Sequence, residues 1–201
     1  TLFLPLIALQ FHDCKMHIDT VSTIADNAVS AGCQIDLLCN YVYLDEVERQ
    51  EMAREAFDVL ITTVHSTVQK AGTSMDLPFN HPVLSLSWQE EGHAAGEAIA
   101  SAQLRLNHNN RFGRQALPEL YFRKVVPFER SNKSPESDKI YSYSFALDAC
   151  SRAQPTGSCN FSRVDDAQLD LGTTDNTKNF KVYAVSWNVL RIYSGMGGLS
   201  F

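Results

Sequence analysis

Stretches dense in β-branched and aromatic residues recur along the chain, each closed by a run of Asn, Gly, Pro or Ser. "FDVLITTVHSTV" (57–68), "VLSLSW" (83–88), "AQLRLN" (102–107), "KIYSYSFAL" (139–147), "AQLDL" (167–171) and "NFKVYAVSWNVLRIY" (179–193) are of this kind. Such side chains fit a pleated, half-buried surface, whereas a helix would restrict their χ1 freedom. In "VLSLSW" Leu84, Leu86 and Trp88 alternate with Ser85 and Ser87, so one face is core and the other polar. "QIDLLCNYVYL" (34–44) reads as a further buried strand, and "TLFLPLIALQF" with "CKMHID" as two strands or one long bent one. A single clear helix is signalled: Asp45, with Glu48 three places on, makes a capping box for a helix through about Phe57. "RQALPELYFRKVV" (114–126) is ambiguous between strand and helical turn. From Gln34 onward this gives about seven or eight strands joined by long loops, the pattern of an all-β sandwich or barrel, with a jelly roll favoured over a tight meander.

The 201 residues are 44% hydrophobic and 20% charged, enough for one sizeable domain, or one domain plus a fragment, held by apolar burial. A net charge of −6 argues against a face able to neutralise many phosphates, and the most basic segment, "YFRKVVPFER" (121–130), reads as a solvated stretch. Five cysteines, Cys14, Cys33, Cys39, Cys150 and Cys159, form no CxxC pair and fit neither a zinc ribbon nor a secreted disulfide framework. They read as reduced thiols of an intracellular protein, with a Cys150–Cys159 bridge across a turn as the disfavoured alternative. The apolar opening lacks a basic leader and is interrupted by Pro5, so it is expected to be a strand whose packing partner lies elsewhere rather than a signal peptide or a membrane span. "TVSTIADNAVSAG" (20–32) has the composition of a linker.

"PTGSCNFSRVDD" (155–166) sets a turn, a thiol, a glycosylation-type triplet and a row of charges side by side. Cys159 as a nucleophile lacks a sequence-near His to activate it, so a structural thiol is the plainer reading. Asn160-Phe161-Ser162 and Asn132-Lys133-Ser134 match the acceptor triplet, as chance alone would allow. His12, Asp13, Cys14 and His17 are metal-ligand types, but strand alternation sends His12 and Cys14 to one face and His17 to the other. The other histidines are scattered and show no His-x-His step. No GxSxG elbow occurs, and "SGMGG" (194–198) lacks the Gly-Lys-Ser/Thr ending of a phosphate loop, so its glycines are expected to let the terminal segment turn and pack closely.

"LPLIALQFHD", "YVYLDEVERQEMA", "NFSRVDDAQL" and "WNVLRIYSGMGGLSF" together resemble the major capsid protein of nucleocytoplasmic large DNA viruses, nearly end to end and in the same order. The resemblance implies a double jelly-roll subunit. Residues 1–20 are then closing strands of a truncated first roll, 21–33 a linker and 34–201 the C-terminal roll with its one short helix. It also implies a structural, non-enzymatic role without cofactor or metal: a homotrimer forming pseudo-hexagonal capsomers of an icosahedral shell. Its partners would be other copies of itself, neighbouring capsomers, minor capsid proteins and proteins of an internal membrane, with no direct nucleic-acid contact. The location implied is the virion, assembled in the host cytoplasm. The alternative from another class is a glycan-binding jelly-roll module.

Under that reading "PTGS" is a turn around Gly157, "CNFS" carries Phe161 into the sandwich beside Asn160, and "RVDD" places Arg163 and Asp165 on one strand face, where Arg163 is expected to clamp a loop end. The small-residue loop "EEGHAAGEAIAS" (90–101) predicts a modest outer decoration.

Overall fold

The computed structural model describes residues 4–18, 36–70, 74–90, 99–133, 139–151, 154–172 and 178–200. Among them the strands are β1 (Phe57–Lys70), β2 (Met75–Asp76), β3 (Pro82–Glu90), β4 (Ser101–Leu106), β5 (Asn109–Asn110), β6 (Leu117–Pro118), β7 (Tyr141–Ser144), β8 (Cys159–Asn160), β9 (Ala167–Gly172), β10 (Asn179–Tyr193) and β11 (Met196–Leu199). The helices are α1 (Glu46–Arg54) and α2 (Val126–Ser131), the latter entered through π-helical turns over Tyr121–Val125. The chain divides into two compact units, residues 60–189 with 200–201, and residues 1–59 with 190–199.

Two sheets make the larger unit. One has the order β1-β10-β3-β7, the other β2-β9-β4-β5, and the pairings within them are antiparallel wherever a register is resolved. The chain crosses repeatedly between the sheets, with β2 in the second between β1 and β3 in the first, β4–β6 in the second, β7 and β8 in the first and β9 in the second, and β10 lies between β1 and β3 of the first, as the long connections of a jelly roll require. Alternation explains why the sheets face each other. Val83, Leu86 and Trp88 of β3 and Phe180, Val182 and Ala184 of β10 meet Met75, Ala102, Leu104, Leu169 and Leu171 from the second sheet, all buried in one core. Trp88, Val83 and Val182 are at most 1% exposed, so this layer is dry and close-packed. A run of rings extends it: Trp88 packs on Phe122 (centroids 5.3 Å apart), Phe122 on Phe112 (5.4 Å), Phe112 on Tyr143 (5.0 Å), Tyr143 on Phe145 (5.1 Å) and Phe145 on Phe161 (5.9 Å). The ambiguous segment 114–126 thus holds helical turns, which deliver Phe122 to this core.

In the smaller unit Asp45 caps α1 as its sequence predicts, accepting from Glu46 N at 2.7 Å while Glu48 accepts from Asp45 N at 3.3 Å. The helix stops at Arg54 rather than Phe57, which begins β1. Among the described residues two expected strands do not form. Residues 4–18 hold only a 3-10 turn, Leu6–Ala8, and residues 36–44 have no regular structure and stand mostly exposed. Both segments have strand-like composition, but β-propensity measures packing against cross-strand neighbours, and among the described residues neither has one. Pro5, with no N–H for a ladder, further excludes a regular strand at the start. The proposed linker and the loop 91–98 lie outside the described residues.

β10 and β11 form a hairpin in register Tyr193↔Met196, turning through Ser194 and Gly195 at φ 51° and 80°. Positive φ at both loop positions is the two-residue turn that matches strand twist, so Gly195 is required here by conformation. It is also required by space: a Cβ on Gly195 would lie 2.6 Å from the Phe11 ring. Residues 9–12 are strapped onto this hairpin, with Phe11 N donating to Gly195 O at 2.9 Å and Gly197 N donating to His12 Nδ1 at 2.9 Å. Of the "SGMGG" glycines, Gly195 turns and packs closely and Gly197 packs against Leu9, whereas a Cβ at Gly198 would meet open space.

Candidate assembly surface

The stretch 155–166 is an architectural clasp at one loop end of the sandwich. Thr156 Oγ1 accepts from Asp148 N and donates to Asp148 O, both at 3.0 Å, pinning the turn to the segment after β7. Gly157, at φ +143°, lets that turn close on the chain: a Cβ there would lie 3.0 Å from the Phe145 carbonyl oxygen. Asn160 Oδ1 accepts from Ser162 N at 3.0 Å and caps a 3-10 turn, Phe161–Arg163, that buries Phe161 to 3% exposure. Residues 161–163 are therefore not in a strand, and Arg163 and Asp165 do not share a strand face. Arg163 is exposed at the end of the turn, and among the described residues its guanidinium forms no ion pair. Backbone-directed bonds hold the loop end instead. His81 N donates to Ser162 Oγ at 3.0 Å, Phe161 N to His81 O at 3.0 Å, and Asn107 Oδ1 accepts from Asp165 N at 2.9 Å. Asn107 N closes the ring to Asp166 O at 2.7 Å.

Asn107 was not singled out by sequence reasoning. The signal lay in "LNHNN": Asn107 and His108, at φ 51° and 63°, form the two-residue turn between β4 and β5, and Asn is among the residues that tolerate that conformation.

Burial pushes the Cys159 thiol up, the wrong direction for a nucleophile at neutral pH. Cys14, Cys39, Cys150 and Cys159 are free thiols, so the disfavoured Cys150–Cys159 bridge is not formed. Among the described residues no group of three or more His, Cys, Asp or Glu stands close enough to hold a metal ion. The Asn160 side chain is already committed to its turn, and Asn132 caps the end of α2 in the left-handed region at φ 55°.

What the larger unit does present is an outer sheet face graded in polarity. Thr63 Oγ1 bonds the buried Ser186 hydroxyl at 3.1 Å, which fixes the inward side of β1. Alternation then sends Leu60, Val64 and Val68 outward, and they are 38%, 62% and 44% exposed. On β10 the same outer face carries Tyr183 and Val185, with Lys181 Nζ 5.2 Å from the Tyr183 ring centroid. On β3 and β7 it turns to hydroxyls, Ser85 and Ser87 opposite Ser144 and Ser142, although Ser144 itself is buried with its hydroxyl donating to Ala146 O at 2.9 Å. The apolar end of the gradient is an edge strand. "FDVLITTVHSTV" is β-branched on both faces, which is the composition of a strand covered on both sides. The smaller unit has its own apolar surface: Leu37, Leu38, Tyr41, Val42 and Tyr43 are exposed in sequence, Leu38 at 94% and Tyr43 at 92%. Large exposed apolar patches are a feature of surfaces that other protein covers.

The family model for the large eukaryotic DNA virus major capsid protein matches residues 48–198. The chain is similar to the major capsid protein of Pyramimonas orientalis virus, 37% identical over 231 aligned residues that take in the whole chain and 57% of that protein. It is also similar to that of Paramecium bursaria Chlorella virus 1, 29% identical over the whole chain and 63% of that protein. The chain thus spans about three fifths of the length of these relatives. Among solved structures, a quasi-atomic model of the PBCV-1 virus capsid superposes with a TM-score of 0.67 at 27% identity, over 80% of this chain and 55% of that one. The Faustovirus major capsid protein, at 10% identity and a TM-score of 0.58 over 67% of this chain and 34% of that one, shares the fold.

Proposed function

Because the chain belongs to the family of large eukaryotic DNA virus major capsid proteins, we propose that it is a structural subunit of an icosahedral viral shell, a stiff tile that works by its surfaces and catalyses nothing. The observation that carries this is the outer face of β1: Leu60, Val64 and Val68 stand in a row on an edge strand, facing away from a core already complete without them. A sheet face of that composition gains stability only by being covered. In this reading three copies form a trimer with a pseudo-hexagonal outline, closed symmetry turning one patch into a ring of equivalent contacts.

The exposed apolar run 37–43 is, in the same reading, covered by further chain of the longer protein. Residues 34–201 then form the second of two rolls, with 1–20 closing the first and 21–33 joining them. Gly157, Asn160, Phe161 and Asp165 serve the rigidity of the tile by fixing one loop end, and Arg163 is a rim charge. Its partners are its own copies, neighbouring capsomers, minor capsid proteins and proteins of an internal membrane. It resides in the virion after assembly in the host cytoplasm. No specific observation favours the glycan-binding alternative.

Val64→Asp tests the proposal. The variant is expected to fold as wild type does, since Val64 is already 62% exposed in the single chain, and to lose the trimer in sedimentation together with whatever stability the trimer contact contributes. A variant that melts normally and assembles normally would remove β1 from the contact.

A further inference from the structure

His65 and His81 come together at the same loop end, with ring centroids 6.0 Å apart and planes tilted by 42°. Both positions are unusual. His65 lies on the inward parity of β1, with Thr63 and Thr67, yet it is exposed where both of those are half-buried. It opens into a cleft of about 240 Å³ formed with Ser66, Thr67, Phe79, Asn80 and His81. His81 holds a positive φ of 70° on a residue that is not glycine. Its backbone is fixed on both sides, N–H to Ser162 Oγ and carbonyl from Phe161 N, each at 3.0 Å, so the ring projects from an immobilised point. Among the described residues, those lining the cleft include no carboxylate, lysine or arginine. An ion pair with a lining residue therefore does not explain the two rings, and two imidazoles, each a metal-ligand type, line one small space.

From this geometry we infer that the His65–His81 cleft binds one divalent transition-metal ion of the imidazole-preferring class, Zn²⁺ or Cu²⁺, with the two ring nitrogens as protein ligands and water in the open positions. With metal–nitrogen bonds of about 2.1 Å, two imidazoles on one tetrahedral ion set their centroids roughly 5 Å apart, so closure by about 1 Å completes the pair. The ion would staple β1 to the segment between β2 and β3. Hard, oxygen-seeking ions such as Ca²⁺ are excluded by the donor set. The inference is independent of the capsid reading.

The test is calorimetric titration of the whole protein with Zn²⁺ and, separately, with Ca²⁺. His65→Thr puts a β-branched residue in the strand, His81→Asn keeps a residue tolerant of positive φ, and His17→Ala serves as a control at a histidine distant in sequence. One equivalent of Zn²⁺ is expected for wild type and His17→Ala, with affinity at least tenfold weaker in each cleft variant and no Ca²⁺ response. Equal Zn²⁺ affinity in the cleft variants, loss in His17→Ala, or a matching Ca²⁺ response would overturn the site. Following the His65 and His81 ring signals by NMR during the Zn²⁺ titration needs no variant: both should shift together at one equivalent, and unmoved signals would overturn the site equally.

Discussion

Asn107 does two jobs with one side chain and one backbone angle. Its positive φ makes the β4–β5 turn, and its carboxamide oxygen receives Asp165 N from a segment 58 residues away. Substitutions separate the two. Asn107→Gly keeps the turn and drops the bond, and should lower stability by about 1 kcal/mol. Asn107→Ala should cost about 1–2 kcal/mol more, because alanine resists the left-handed region. Equal melting temperatures for the two would show that the turn geometry carries nothing. Gly195 obeys the same logic with a steric addition. Gly195→Ala should cost about 1–2 kcal/mol through φ +80° alone, and should also loosen the strap by displacing Phe11, seen as faster amide exchange at Phe11, whose N–H is bonded to Gly195 O. The turn-forming glycines were legible in "SGMGG", and Gly157 in "PTGS". Arg163 was misread because its role was inferred from a regular strand, and the Asn160 cap had already turned the chain into a 3-10 helix.

At the scale of elements, β10 occupies the very residues its composition marks, 179–193, and β1, β3, β4, β7 and β9 follow theirs within a few positions. These strands were readable because each supplies its own alternation against a facing sheet. Residues 4–18 and 36–44 were not, since the same side-chain types without a neighbouring ladder do not make a strand. β5, β6 and β8, each two residues long, are too short to carry a period. The ends of β1 and β10 are joined by Arg191, which donates from Nε and Nη2 to the two Asp58 carboxylate oxygens, both at 2.7 Å. That bidentate bond holds the Asp58 carboxyl below its ordinary range. A depressed folded-state value means the contribution is complete above the carboxylate's unfolded pKa and is lost as pH falls through the lowered folded one. Asp58→Asn should therefore be less stable than wild type at neutral pH and indistinguishable from it in strong acid. Because the pair is exposed, the gap should narrow in high salt. A gap that persists in acid would assign the effect to packing instead.

For the molecule as a whole, the sandwich was legible and its contacts were not. A core announces itself by periodicity, whereas an assembly surface reads only as a strand that is apolar on both faces, and "FDVLITTVHSTV" gives that hint without saying what lies on the second face. If this second face is a subunit contact and the sandwich a tile, the oligomeric state of the protein depends on it. Native mass spectrometry of the whole protein, with any flanking sequence its gene encodes, reads that state. Wild type is expected to be a trimer and Val64→Asp a folded monomer of lower melting temperature; a wild-type protein that stays monomeric at every accessible concentration would refute the contact.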